Sequence, residues 1–289
     1  MEPTKKKKKK NKTKKKYTRR SILTYLNKNP IKVLEDSTAK SCRTKKRNYC
    51  GCHINDINKK EFRDRVHKHY SQNPQIIPKI IHQIWIGPKK PPTDWMNTFK
   101  NYVKKNKGWK YFLWTDSNIK KLKLINKKQY ESEPSYVGKA DILRCELLHK
   151  YGGIYIDADS ALTGNQDINK LIDDCNDLGF FIAKECKGCG DNLASGVIGC
   201  SKKNLIMDYI IKTIPKISET CTKNKYYPYL SIGPYMYDQC LKGIDITIYP
   251  YYYFYPKYWH GNLVNEDITK YKKSYMFQYG YSTNNLEIS

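Results

Sequence analysis

Two aspartates separated by one residue, Asp157 and Asp159, close the run ADILRCELLHKYGGIYIDADS that spans Ala140–Ser160. Within a regular strand such a pair points one way but sits well apart. At a strand's exit, where the chain turns, both carboxylates can approach one divalent cation, one directly and one through water or ribose. Carboxylate oxygens suit Mg²⁺ or Mn²⁺, which keep coordination places for water and substrate phosphates. A cation so held acts as a Lewis acid on a diphosphate leaving group, an effect of several kcal/mol. A D-x-D triplet alone is also what a capped or solvated acidic loop looks like, so its neighbours decide.

The apolar positions Val137, Ala140, Leu143, Leu147, Leu148 and Tyr151 follow helical spacing and predict a helix over 136–151, capped by Ser135 after a turn at Glu131–Pro134. Asp141 and Arg144, at i and i+3, share a different face of it. They can reach one ligand or pair with each other. Gly152-Gly153 ends the helix, with Gly152 expected in the left-handed C′ position. Ile154-Tyr155-Ile156 is then a strand that delivers the aspartates at its exit.

Upstream, IIPKIIHQIWIGPKKPP alternates Ile80, His82, Ile84 and Ile86 with Ile81, Gln83 and Trp85. A strand apolar on both faces belongs inside a covered sheet. His82, on the isoleucine face, is expected to be a hydrogen-bonded core histidine. Trp85 ends the strand, at the edge where open α/β sheets bind ligands, or else serves the core. A helix over Asp94–Lys105 and a strand over Trp109–Thr115 follow, and the alternation predicts an α/β domain with a mainly parallel sheet. Phe180–Lys184 and Gly196–Cys200 read as strands around the loop CKGCGDN, which contains Asn192. Leu205–Lys212 reads as a helix stopped near Pro215. The tyrosine-rich 249–260 segment is expected to pack in the core, with an acceptor groove as the alternative. MFQYGYSTNN is a last strand or ordered tail.

The net charge of +27 over 289 residues is uneven, with +18 of it in the first 75 residues. Lys5 to Arg20 repels itself and is expected to be disordered. It is a solvated tail, a contact for a polyanion such as nucleic acid or anionic lipid, or a nuclear address. Residues 21–75 form a basic extension without sustained periodicity, in which Glu61–Tyr70 reads as a short helix leading into the main domain at 76–289. No apolar window spans a membrane and no signal-peptide core is present, so a cytoplasmic location follows by default. The ten cysteines then read as reduced thiols. Zinc held by Cys42, Cys50, Cys52, Cys186 and Cys189 is the weaker alternative, since only Cys186 and Cys189 have knuckle spacing.

Taken together, IPKIIHQIWIG, WKYFLWTD, ADILRCELLHKYGGIYIDAD, SIGP and the FYP segment resemble the DXD-containing glycosyltransferases of family 32. The central block is also similar to the glucosylating domains of large clostridial toxins. The resemblance covers about residues 76–282. It implies a GT-A-type, Rossmann-like fold and a retaining transfer from a UDP- or GDP-hexose to a glycan, glycolipid or protein hydroxyl. Under it, Asp157 and Asp159 hold Mn²⁺ (or Mg²⁺), Asp141 and Arg144 contact the donor sugar and phosphate, and Trp85 lies beside the base. Asn192 is an acceptor- or donor-side contact. No residue stands out as a covalent nucleophile, so a same-face displacement is expected. One departure is C-terminal: Gln278 stands where histidine is usual, and the following Ser-Trp is absent. The rival reading is a polyanion-binding protein on a degenerate transferase scaffold, acting through the basic tail.

Overall fold

The computed structural model describes residues 17–29, 31, 33–36, 51–54, 58–188, 190, 192–221, 228–258 and 262–281. The lysine run over 5–16 and Cys42, Cys50 and Cys189 lie outside these residues. So does the side chain of Cys52.

Thr18 accepts the Ser21 N–H and caps α1 (Arg19–Lys28), which buries Ile22 and Leu26 one turn apart. The antiparallel hairpin β1 (Val33–Asp36) and β2 (Gly51–Ile54) follows. Next, α2 (Lys59–Tyr70) buries Phe62, Val66 and Tyr70. The short helix expected over Glu61–Tyr70 is thus α2, while α1 and the hairpin were not expected. Two buried side chains in α1 make too short a pattern to stand out.

The rest of the chain runs β3 (Ile80–Ile84), α3 (Thr93–Lys105), β4 (Lys110–Trp114), α4 (Asp116–Ile119), α5 (Lys127–Ser132) and α6 (Tyr136–Tyr151). It continues with β5 (Gly153–Ile156), β6 (Ser160–Leu162), α7 (Asn169–Asp173), β7 (Phe180–Lys184), β8 (Leu193–Cys200) and α8 (Leu205–Cys221). The last elements are α9 (Pro234–Leu241), β9 (Thr247–Tyr249) and β10 (Met276–Gln278). The central sheet has the order β4-β3-β5-β8-β7-β9. Five strands share one direction, and β8 alone runs against them. The architecture is the mainly parallel, helix-flanked α/β sheet expected from the alternation of elements.

Each face of the sheet carries its own core. On one side Tyr155, Ile182 and Ile198 pack with Leu143 and Leu147 of α6, Ile210 of α8, and Phe62 and Ile22 of the N-terminal helices. On the other, Ile81, Ile156 and Phe181 pack with Phe99 of α3, Leu171 of α7 and Phe254. The N-terminal helices therefore share the main core. Arg19 also pairs with Asp208 of α8 at 2.6 Å, and the Tyr70 hydroxyl accepts the Leu205 N–H.

One helix runs longer than expected. Pro215 does not stop α8, which continues to Cys221. A proline cannot donate to the carbonyl four residues back, here that of Ile211. That oxygen accepts the Asn126 side-chain amide at 3.1 Å instead, so the helix passes through.

Cys145, Cys200 and Cys240 are buried thiols outside any disulfide, and so is the half-buried Cys175. Cys186 is disulfide-bonded, which overturns both its reading as a reduced thiol and its use as a zinc thiolate.

His82 is the core histidine expected. Its Nε2 meets Gly152 O at 2.9 Å, and its Nδ1 accepts the Trp114 indole N–H at 3.0 Å. Burial lowers its pKa to about 4, opposed by the Gly152 hydrogen bond. As pH falls from about 6.5 to about 4, the unfolded chain takes up a proton that the folded chain refuses. Stability should therefore drop by about 3 kcal/mol across that window. Urea midpoints between pH 4 and 7 should show this loss in the wild type and a flatter profile in His82→Gln. Parallel profiles would refute it.

Candidate active site

The junction of α6, β5 and β8 builds the site. Ser135 caps α6 by accepting the Gly138 N–H at 2.9 Å. The helix ends at Gly152, whose N–H returns to Leu148 O. Gly152 has φ +68° but ψ −170°, an extended mirror-image conformation instead of the left-handed one expected. Side chains are excluded there, because a methyl on Gly152 would meet the Lys202 N and Pro78, and one on Gly153 the Ile80 carbonyl. This close passage brings β5 alongside β3 and aims Asp157 out of the sheet's carboxyl edge.

Asp141 and Arg144 do pair, Nη2 to Oδ1 at 3.1 Å, and both are buried. The same Nη2 stands 3.5 Å from Asp157 Oδ1, while Nη1 donates to the Ser195 carbonyl. The guanidinium lies 4.5 Å over the Tyr155 ring. Burial opposes its charge, but the surrounding Tyr155, Asp141 and Asp157 oxygens outweigh that and hold its pKa well above the usual value. Burial also pushes the Asp141 carboxyl up to about 7, against the pull of Arg144.

Every oxygen of the aspartate pair faces a donor. Asp157 Oδ1 accepts the Tyr155 hydroxyl at 2.7 Å, and Oδ2 accepts the Gln278 amide at 3.0 Å. The same amide nitrogen is 3.5 Å from Asp159 Oδ1, and Tyr281 N–H reaches Asp159 Oδ2 at 2.8 Å. The C-terminal contacts follow from β10 pairing antiparallel with β6, which sets Gln278 opposite Ser160. Beyond β10, Tyr279 stacks on Trp95 with ring centres 4.0 Å apart, and Tyr281 stacks on Trp85 at 5.8 Å.

Trp85, Arg144, Tyr155, Asp157 and Asp159 line one cavity of about 530 Å³, with Tyr136 and Lys89 at its wall. That size suits a small-molecule ligand. Asp141 lies behind the wall. Asn192 stands apart, half-buried before β8, where its carbonyl accepts the Glu185 N–H at 2.9 Å. Sequence reasoning singled out Gln278 only as a departure from the resembled family's C-terminal histidine, and it missed Tyr155, Tyr281 and Gly196 as parts of the site. Only Tyr155 had a signal, since strand alternation puts it on the face of Asp157.

A divalent cation fits these residues. The donors at the aspartate pair are oxygens, the hard ligands that Mg²⁺ and Mn²⁺ prefer. Asp141 and Asp157 face the guanidinium of Arg144, and Asp159 adds a third carboxylate at the cavity, so negative charge exceeds positive by two when all are ionised. Among the described residues no three His, Cys, Asp or Glu side chains gather into a complete metal site, so water and phosphate oxygens would supply the remaining ligands.

A buried ion pair thus stands behind two carboxylates at the carboxyl edge of the sheet. Residues 92–177 match the family model described as "Glycosyltransferase sugar-binding region containing DXD motif", which bears out the resemblance read from the sequence. An inositol phosphoceramide mannosyltransferase of Schizosaccharomyces pombe is 27% identical over 170 residues, covering 57% of this chain and 44% of that protein. An uncharacterized glycosyltransferase of Acanthamoeba polyphaga mimivirus is 34% identical over 146 residues, covering 48% and 56%. The chain thus spans about half the length of these curated relatives. Among solved structures, the PaToxG glycosyltransferase aligns with a TM-score of 0.42 at 22% identity, over 64% of this chain and 79% of that one.

Gly196 offers a check on the geometry. A methyl group there would lie 2.8 Å from both Asp157 Oδ2 and Gln278 Oε1. Gly196→Ala should therefore lose about 1–3 kcal/mol in urea unfolding while keeping the far-ultraviolet spectrum of the wild type. An unchanged unfolding midpoint would mean that the corner is looser than described.

Proposed function

We propose that the chain transfers a hexosyl group, with retention, from a nucleoside-diphosphate sugar to an acceptor hydroxyl, using Mn²⁺ or Mg²⁺. The observation that carries this reading is the convergence of Asp157, Asp159, Arg144 and Trp85 on one cavity, with Asp141 buried behind Arg144. A cation held by Asp157 and Asp159 would act as a Lewis acid on the diphosphate.

The chain's own groups do the rest by position and charge. Arg144, fixed by Asp141 and Ser195, offers a permanent positive charge to the phosphate side. Asp141, behind the wall, acts on the donor through the Arg144 it holds, and Trp85 offers a ring to the base. Asn192 remains the proposed donor- or acceptor-side contact of the β7–β8 loop. In the transfer, the bond from the anomeric carbon to phosphate oxygen breaks as the bond to the acceptor oxygen forms on the same face. The acceptor's proton passes to the departing phosphate oxygen, so no side chain is needed as base.

Several curated relatives are named as inositol phosphoceramide mannosyltransferases or mannosyl phosphorylinositol ceramide synthases. GDP-mannose therefore heads the donor panel, and a polyol headgroup hydroxyl heads the acceptors. Among the described residues no helix is long and apolar enough to cross a membrane.

The test is a panel of nucleotide sugars with Mn²⁺, read as released nucleotide and as a rise in melting temperature. One donor should give both signals. The double variant Asp157→Asn, Asp159→Asn should lose both, and continued turnover by it would show that the site lies elsewhere.

A further inference from the structure

One buried hydroxyl in the site has no acceptor for its proton. Tyr255 belongs to the FYP segment beyond β9, where its N–H donates to Tyr251 O at 2.7 Å. The residue is only 5% exposed, and its ring packs among Phe254, Val197 and Ile156. Its Oη ends at the same corner as Asp157 Oδ2 and Gln278 Oε1, all three within 3.0 Å of where a Gly196 methyl would sit. Among the described residues the Tyr255 proton meets no acceptor, while the Val197 N–H is directed at its oxygen. A tyrosine hydroxyl carries its proton at neutral pH, so Tyr255 Oη stands here as a donor.

The neighbouring groups are already engaged. Tyr155 and Arg144 face Asp157 Oδ1, and Gln278 spends its N–H groups on the aspartates. Arg144 Nε is a second buried donor without a partner. Both unmatched groups are donors flanking Asp157, so what they lack is an acceptor oxygen. Leaving such groups unsatisfied costs stability in the free protein, and binding sites accept that cost when a ligand removes it.

We propose that Tyr255 Oη is a substrate-side hydrogen-bond donor, held for an oxygen that arrives with the cation and diphosphate: a phosphate oxygen or a cation-bound water. This rests on the function proposed above. The acceptor oxygen gains charge as the sugar departs, so the contact strengthens toward the transition state.

The test compares Tyr255→Phe with Tyr155→Phe, whose hydroxyl is bonded. Without ligand, Tyr255→Phe should unfold at the same urea concentration as the wild type or a higher one, whereas Tyr155→Phe should unfold earlier. Isothermal titration then uses MnCl₂ alone and UDP or GDP with MnCl₂. Tyr255→Phe should lose about tenfold in affinity, a typical charge-assisted contact. A loss with Mn²⁺ alone identifies a cation-bound water as the partner, and a loss only with nucleotide identifies the diphosphate. Unchanged affinity in both arms overturns the proposal, as does earlier unfolding of ligand-free Tyr255→Phe. If the wild type binds neither nucleotide, the function proposed for the site fails and this inference falls with it.

Discussion

The arrangement of the site depends on one buried cation. Arg144 is the shared partner of Asp141, Asp157 and the Ser195 carbonyl, and so ties a helix, a strand exit and the antiparallel strand β8 to one point. Removing one member of such a cluster leaves an uncompensated buried charge, which is far costlier than loss of a surface pair. The glycine pair at the end of α6 exists to bring these elements that close. The excess of negative charge that remains is the ground for proposing a divalent ion there.

Much of this was legible in the sequence, and the reasons are physical. The strand at Ile80–Ile84 and the helix at Tyr136–Tyr151 carry long apolar patterns, and both fall within two residues of their expected limits. The pairing of Asp141 with Arg144 follows from helical spacing alone. The approach of Gln278 and Tyr281 to the aspartates does not, because it depends on β10 pairing with β6 across more than a hundred residues of chain. Gly196 is equally silent in sequence. Its role appears only where three oxygens from distant segments converge on it. The strand direction of β8 was also hidden, since an apolar run shows no polarity.

The N-terminal region teaches the complementary lesson. Its composition sets it apart from the rest of the chain, and its charge makes it look like an appendage. Yet Ile22, Leu26, Phe62 and Val66 are among the buried side chains of the main core. Basic composition describes the solvent face of α1 and α2, while a few apolar positions decide where they pack. Charge and architecture are separate properties of this segment.

The passage of α8 through Pro215 has a consequence for how this sequence can vary. The Ile211 carbonyl depends on a side chain from another element, Asn126, which is itself buried. Proline and asparagine are therefore a coupled pair. With an ordinary residue at 215, the backbone could bond the carbonyl and Asn126 would become replaceable. With proline retained, losing Asn126 strands a buried acceptor. Substitution at the two positions should be permissive in one order and damaging in the other, so the history of this helix has a direction.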